Sequence, residues 1–205
     1  MDFLEQAYSL NFEGIGDDGV YKYRFISPGA EDITKVISIS PIAEMDNWYN
    51  LGFGNLENID GTLVVNDTAE KNNNDYDNVL ATVFMSALYF FQARPEAVIA
   101  FFGNTVHKHR MYKQKISIHL KSLKENLNIS GGFLNNDINI IKKEQVVTRN
   151  GRQRKRTVKE KDIDSIIDDG IRIKCIEEYE MRNSKNYQFV LISLKKDNHL
   201  ENPIK

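Results

Sequence analysis

The chain has 205 residues, of which 41% are hydrophobic and 27% are charged. These values are typical of one folded domain and exclude a wholly disordered, collagen-like or coiled-coil chain. No apolar run approaches the roughly 20 residues that a membrane-spanning helix needs, and the N-terminus lacks the basic and apolar regions of a secretory signal. The single cysteine, Cys175, excludes internal disulfides and a cysteine-based zinc site. We therefore expect a cytoplasmic protein with no membrane partner.

The two halves of the chain carry opposite charge. Residues 1–105 contain 5 Lys and Arg against 16 Asp and Glu, whereas residues 106–161 contain 15 basic and 4 acidic residues. A basic block can bind an acidic partner such as nucleic acid or a nucleotide. It can equally be a solvated face, or pack against an acidic half of the same chain or of a second copy. A nucleic-acid ligand, a protein partner and a homodimer therefore all stay open.

The first half of the chain has clear secondary-structure patterns. Alternating or apolar runs predict strands at residues 21–26, 36–42 and 47–53, and a fourth at 61–65. Residues 76–91 carry apolar side chains at helical spacing, which predicts a helix with Val83, Phe84 and Leu88 in its core. Asp75 or Asp77 can cap this helix and complement its dipole. The apolar run 97–102 predicts a strand that is covered on both faces.

The second half begins with a turn at residues 103–105, which leads into a helix over 106–126 and a strand over 128–134. Asn150-Gly151 lies between strand-like runs and predicts a β-hairpin. Residues 162–169 are expected to form a short acidic helix or turn. The runs 171–181 and 187–195 are expected to pair with each other, and the tail from 196 to 205 is expected to fray.

The order of these elements predicts the α+β class, in a single domain over residues 1–205. We expect a mixed, mainly antiparallel sheet packed by two helices, with a C-terminal β-hairpin addition. The order also suits a ribonuclease-H-like layout, which is an analogy of fold alone.

The junction before the second helix is the candidate anion-binding site, formed by Gly103, Asn104, Thr105, Lys108 and Arg110. A helix N-terminus offers free backbone N–H groups and the positive end of the helix dipole. Gly103 would allow an anion to approach closely, and Thr105 can cap the helix. Lys108 and Arg110 differ by about 160° in helical angle, so Arg110 can instead face the far side. The alternative is an ordinary capped helix start.

The hairpin tip carries the candidate nucleic-acid-binding residues Arg149, Arg152, Arg154, Lys155 and Arg156. A two-stranded ribbon can enter a major groove, and arginine can bind phosphate through two parallel hydrogen bonds. No aromatic residue lies between positions 135 and 178, so bases are not expected to stack on this arm. A solvated loop, or a contact with a partner subunit, is the alternative.

Histidines and carboxylates near the two helices are candidate catalytic or metal-binding groups. His107 and His109 point to nearly opposite sides of a helix; we expect His109 and His119 on its core side and His107 exposed. No acidic cluster accompanies them at metal-ligand spacing, so neither a metal site nor a cofactor is predicted. Asp75 and Asp77 could serve a hydrolase, with helix capping as the alternative.

Four segments resemble a small bacterial domain family of unknown function, of the type found in Bacteroidota genomes. They are residues 21–26, 50–54, 74–83 and 103–112. The family pattern Gly-Ser-Thr…Arg-x-Arg-Leu-Tyr is here Gly103-Asn104-Thr105 followed by Lys108-His109-Arg110-Met111-Tyr112, so Asn104 replaces serine and Lys108 replaces the first arginine. The resemblance covers about residues 20–134 and strand 187–196, and it implies that residues 135–178 are an insertion. It implies a domain identity and no activity.

Three functional hypotheses follow. The first is a cytoplasmic binding module that holds an anionic or nucleic-acid ligand at the strand–glycine–helix turn and along the basic hairpin. The second is a toxin-like hydrolase or nuclease that uses Asp75 or Asp77. The third is a protein–protein interaction domain. No nucleophile elbow, dinucleotide fingerprint or nucleophile–base arrangement occurs in the sequence, which favours binding over catalysis.

Overall fold

The computed structural model describes residues 2–43, 45–67, 73–134, 140–149, 152–161 and 173–195. Its described part contains a large mixed sheet, two α-helices and a separate two-stranded ribbon. The α+β class predicted from the sequence is confirmed, and the ribonuclease-H-like layout stays a prediction. The helices are α1 (Tyr76–Ala93) and α2 (Val106–Asn126). The strands are β1 (Asn11–Ile15), β2 (Tyr21–Ser27), β3 (Ile33–Pro41), β4 (Trp48–Ile59), β5 (Thr62–Asn66), β6 (Val98–Phe101), β7 (Leu127–Leu134), β8 (Ile140–Arg149), β9 (Arg152–Lys161), β10 (Ile173–Glu178) and β11 (Phe189–Leu194).

The large sheet has the strand order β1-β2-β3-β4-β6-β11-β7-β10, and β5 pairs with β4 outside this path. β4 and β6 are parallel, and the other described pairs are antiparallel. Parallel neighbours need a crossover connection. Here β5 and α1 form that connection, so α1 is the crossover helix between the parallel strands β4 and β6.

One edge of β4 changes partner along its length. Residues 48–51 pair with β6, and residues 55–59 pair with β5. Between them, no described strand pairs with this edge at residues 52–54. We call this gap the sheet fork. Because Leu51 pairs with Phe101, the last residue of β6, the fork lies at the carboxyl end of β6.

The core lies between the sheet and the two helices. Val83, Phe84 and Leu88 are buried, as the helical spacing predicts. The ring of Phe3 meets that of Phe84 edge-on, with 6.2 Å between centroids. A short 3-10 helix, Leu4–Gln6, packs against α1, so α1 is covered by the sheet and by the N-terminal segment. No described helix is both long enough and apolar enough to cross a membrane.

The predicted pairing of residues 171–181 with residues 187–195 is wrong. β11 lies inside the sheet between β6 and β7, whereas β10 pairs with β7. The first four residues of β11 are all buried, and β10 is almost wholly exposed. A strand that is apolar on both faces belongs inside a sheet, and this outweighs the nearness of the two runs in sequence. β1 was not predicted, because its five residues stay mostly exposed and show no apolar alternation.

The ribbon of β8 and β9 confirms the two strands of the predicted hairpin. Arg149 lies opposite Arg152 at its end, and the backbone of β9 approaches α2. The predicted Asn150-Gly151 turn, the acidic segment 162–169 and the tail 196–205 lie outside the described residues.

Candidate anion-binding site

The start of α2 is set by Thr105. Its side-chain hydroxyl accepts a hydrogen bond from the backbone N–H of Lys108 at 3.0 Å, while its own backbone is extended. This is the predicted N-cap, and such a cap stabilises a helix by about 1 kcal/mol. The positive end of the α2 dipole therefore lies beside the turn that leaves the carboxyl end of β6.

Gly103 packs against the first turn of α2. A Cβ atom at Gly103 would lie 2.3 Å from the backbone nitrogen of His109 and 2.4 Å from its Cα. The Gly103 N–H donates to Nδ1 of His109 at 3.3 Å, so the neutral ring carries its proton on Nε2, which donates to the Tyr187 carbonyl at 3.0 Å. His109 is thus a buried, hydrogen-bonded histidine, as predicted. Position 103 therefore requires glycine, because the backbone of α2 leaves no room for a Cβ atom.

Asn104 and Lys108 converge on the loop that follows β5. The Asn104 side-chain amide donates to the backbone carbonyl of Asp67 at 3.3 Å, and the Lys108 ammonium group donates to the same carbonyl. Lys108 is partly buried, whereas Arg110 is exposed. Of the five predicted residues, the structure thus brings Asn104, Thr105 and Lys108 together near Gly103. Within the described part of the chain, Arg110 forms no ion pair or hydrogen bond with them.

Lys35 on β3 is a charged residue in the same region. The residue is 6% exposed, and Nζ donates to Oδ1 of Asn55 on the neighbouring strand β4 at 2.6 Å. Burial lowers the pKa of Lys35; the negative charge of Asp75 opposes this, and the positive charge of Lys108 adds to it. Lys35 is therefore within electrostatic reach of both helix starts, since Asp75 precedes α1 and Lys108 lies in the first turn of α2. We call Lys35, Asn55, Asp75 and Lys108 the polar cluster.

Asp75 is held by two hydroxyl groups. Tyr8 and Ser27 donate to Oδ2 of Asp75 at 2.8 Å and 2.7 Å. Burial and the hydrogen bond to Asp75 raise the pKa of Tyr8 to about 12, so the phenol remains a donor at neutral pH. Asp75 occupies the N-cap position of α1, but its side chain makes no capping hydrogen bond. The predicted capping hydrogen bond from Asp75 is therefore wrong. The negative charge of Asp75 still lies at the positive end of the α1 dipole, as predicted.

Asp77 belongs to a separate contact between the two helices. Its carboxylate lies 2.8 Å from Nζ of Lys115 and 3.4 Å from Nε2 of His119, whose ring stacks on Phe3. Burial opposes ionisation of Asp77, but Lys115 and His119 outweigh it and lower the pKa. Asp75 and Asp77 are thus engaged by different partners. Among the described residues, no group of three or more His, Cys, Asp or Glu side chains is placed to hold a metal ion.

A small cleft opens at the sheet fork. Its volume is about 40 Å³. Its lining includes Gly52, Asp67, Phe102, Asn104 and Tyr112. Burial and the negative charge of Asp67 raise the pKa of Tyr112, so its hydroxyl stays protonated at neutral pH. Asn104 and Lys108 both donate to the backbone carbonyl of Asp67, so the cleft adjoins the start of α2.

The candidate nucleic-acid-binding residues lie on the ribbon. Arg149 ends β8, and Arg152, Arg154, Lys155 and Arg156 lie on the first five positions of β9. The pairing of β8 with β9 therefore places these five positions toward the same end of the ribbon.

Sequence reasoning missed Lys35 and Asn55. β3 buries Ile33, Ile37 and Ile39 at alternate positions, and Lys35 occupies the remaining position of that face. A lysine is rarely buried unless it is paired, so a charged residue within an apolar alternation was the available signal. Asn55 gives a weaker signal, because an amide inside a long strand is less unusual.

The fold and the site together define an α+β domain with a small cleft beside the start of α2 and a polar cluster that includes residues at the starts of both helices. The chain belongs to a family of unknown function, DUF6934, whose model matches residues 5–151. The match includes the whole polar cluster, both helices and the first strand of the ribbon. Comparisons with curated proteins and with solved structures gave no match. The family supplies no activity, so a function has to be argued from the site.

Proposed function

We propose that this domain is a binding module for an anionic, phosphate-bearing ligand, which it holds between Lys35 and Lys108. The observation that carries the proposal is the burial of Lys35. Among the described residues, its hydrogen-bond acceptor is the neutral amide of Asn55. A buried cation is costly unless an anion compensates it. The negative charge of Asp75 stabilises the Lys35 ammonium group in part. A bound anion would supply the remaining negative charge.

The start of α2 supports the same location. A helix that follows the carboxyl end of a parallel strand presents backbone N–H groups and a positive dipole end to an anion. Lys108 stands in this first turn with Asn104 and the capping Thr105 beside it. Because the carboxylates of Asp67 and Asp75 are close by, the site suits one phosphate group better than a chain of several.

A titration with inorganic phosphate at low ionic strength tests this proposal. We expect Lys108→Ala to weaken phosphate binding by about tenfold or more, which corresponds to about 1.4 kcal/mol. Lys121→Ala is the matched control, because Lys121 is an exposed lysine further along the same helix. Lys35→Met tests the second cation while keeping the length of the side chain. Equal losses in Lys108→Ala and Lys121→Ala, or no phosphate binding by the native chain, would contradict the proposal.

The ribbon extends this proposal to nucleic acid. β8 and β9 form a sheet of their own, with ten residues in each strand and five basic positions at one end. A free two-stranded ribbon of this kind can lie in a major groove and contact phosphates on either side. β9 also contacts α2, so the ribbon lies against the body of the domain. We place the domain in the cytoplasm, since its free cysteine, Cys175, is exposed and suits a reducing compartment.

A further inference from the structure

Residues 56–65 form a hairpin that projects from the large sheet, and we call it the arm. β3 pairs with β4 only as far as Asn55, and β5 pairs with β4 alone. Beyond Asn55 the arm is therefore two-stranded, and no described strand pairs with either of its outer edges. Its turn is formed by Asp60 and Gly61, whose φ values of 51° and 85° are those that a tight hairpin needs. Because an isolated pair of strands is only marginally stable in water, the arm calls for a partner.

The surface of the arm is apolar and acidic. Its exposed apolar residues, each between 41% and 64% exposed, are Ile59, Leu63, Val64 and Val65. Edge strands are commonly protected from pairing by lysine, proline or a bulge, but β5 contains neither residue, and its register with β4 has no shift. The charged residues of the arm are Glu57 and Asp60, and no lysine or arginine occurs between positions 36 and 70. The arm therefore suits a strand that is basic and partly apolar.

The ribbon of β8 and β9 carries the opposite charge. Its two strands contain nine basic and two acidic residues. They form a sheet of their own, so no described strand lies beside their outer edges. β9 is the strand that contacts α2, which makes β8 the better edge for a partner. β8 begins with Ile140-Ile141-Lys142-Lys143, so apolar and basic residues adjoin each other at the end opposite the tip.

We propose that the chain forms a homodimer in which the arm of each copy pairs with the outer edge of β8 in the other copy. Such strand addition satisfies backbone N–H and C=O groups on both edges. Opposite charges on facing strands stabilise it further, since the two carboxylates of the arm meet Lys142 and Lys143. Within one chain the arm and the ribbon belong to different sheets. A second copy, related by a two-fold axis, supplies both contacts at once.

The arm covers only part of the ribbon. Residues 56–59 pair with residues 62–65, and four residues of a strand span about 13 Å, whereas the ten residues of β8 span about 34 Å. A contact at Lys142 and Lys143 therefore leaves the five basic positions at the tip accessible to nucleic acid. The dimer contact is also separate from the anion site, because it includes no residue of the polar cluster.

Sedimentation velocity on the full chain tests the dimer. We expect a dimer at low salt that dissociates as salt rises, because salt screens the facing charges. Glu57→Lys with Thr62→Lys makes the arm basic, and Lys142→Glu with Lys143→Glu makes the start of β8 acidic. Each double variant should dimerise about tenfold more weakly than the native chain. An equal mixture of the two should form a heterodimer, since each altered strand then meets its opposite charge.

The control is Asp17→Lys with Asp32→Lys, which changes charge at two exposed positions outside the arm and the ribbon. It should dimerise like the native chain. If a double variant unfolds, as circular dichroism would show, Leu63→Lys at the most exposed apolar position of the arm replaces it. A native chain that stays monomeric at low salt overturns the proposal. So does a mixture of folded variants that forms no heterodimer, unchanged dimerisation in Leu63→Lys, or an equal loss in the control.

Discussion

Gly103 and His109 are joined at the start of α2: the Gly103 N–H donates to Nδ1 of His109 at 3.3 Å, and the His109 backbone fills the space that a side chain at position 103 would need. Through Nε2, His109 also reaches the Tyr187 carbonyl, two residues before β11. This contact fixes the turn from β6 into α2. It therefore determines where Thr105 and Lys108 lie relative to the sheet fork.

Replacing Gly103 by alanine should destabilise the protein by about 1–3 kcal/mol, because the added methyl group would overlap with the α2 backbone. Chemical denaturation measures the loss. Gly52→Ala is the matched control, since its Cβ atom would make an ordinary contact. A Gly103→Ala protein as stable as the Gly52→Ala protein would show that the turn is not tightly packed.

Phe84→Ala should lower the free energy of unfolding by about 3–5 kcal/mol, because it leaves a cavity in the core between the sheet and the N-terminal segment. Phe84 is 1% exposed. Tyr89→Ala on the exposed side of the same helix should cost much less, since Tyr89 is 39% exposed. Thermal and urea unfolding of the two variants provide the comparison, and similar losses would contradict the packing described for α1.

Lys113 should make stability depend on pH. Burial lowers the pKa of Lys113 from 10.5 to about 8, and Nζ donates to the carbonyls of Lys185 and Tyr187. Between these two values the unfolded chain binds more protons than the folded chain, so the free energy of unfolding rises with pH. Tyrosines with raised pKa, such as Tyr8, act in the opposite direction above about pH 10. The rise should therefore be measurable between pH 8 and about 9.5.

Lys113→Met should flatten this rise and leave the protein at least as stable at pH 7, because an apolar side chain carries no buried charge. Urea unfolding at several pH values gives the slopes. Lys121→Met, at an exposed position of the same helix, should keep the native slope. An unchanged slope in Lys113→Met would show that Lys113 does not titrate in this range.

The ribbon can be tested by salt dependence. If its basic residues bind duplex DNA, the slope of log affinity against log salt is about −0.9 for each phosphate contact. Neutralising Arg149, Arg152, Arg154, Lys155 and Arg156 to glutamine should flatten that slope. The control neutralises five exposed basic residues elsewhere, Lys22, Lys121, Lys174, Arg182 and Lys185. No binding of DNA or RNA at low salt, or the same flattening in the control, would remove the ribbon as a nucleic-acid interface.

Local patterns predicted most of the fold, because periodicity and capping depend on neighbours in sequence. Both helices, the meander β2–β3–β4 and the ribbon strands were predictable in this way. The position of β11 was not, since pairing with β6 and β7 is decided by burial on both faces, which only the assembled sheet reveals.

The candidate site was predictable in part for the same reason. Thr105 and Lys108 lie within one turn of helix, so their proximity follows from the sequence. The electrostatic effect of Lys108 on Lys35 arises only in the folded chain, because no local rule links position 35 to position 108. The available signal was Lys35 itself, a lysine on the apolar face of β3, because a buried charge requires a partner.

The most direct test of the anion site is a crystal soaked in selenate, with the selenium located by anomalous scattering. Selenate resembles phosphate in shape and charge and marks its own position. We expect a selenium peak beside the polar cluster, with selenate oxygens about 3 Å from Nζ of Lys35 and of Lys108. A polar cluster that stays empty while selenate occupies other surface lysines would contradict it.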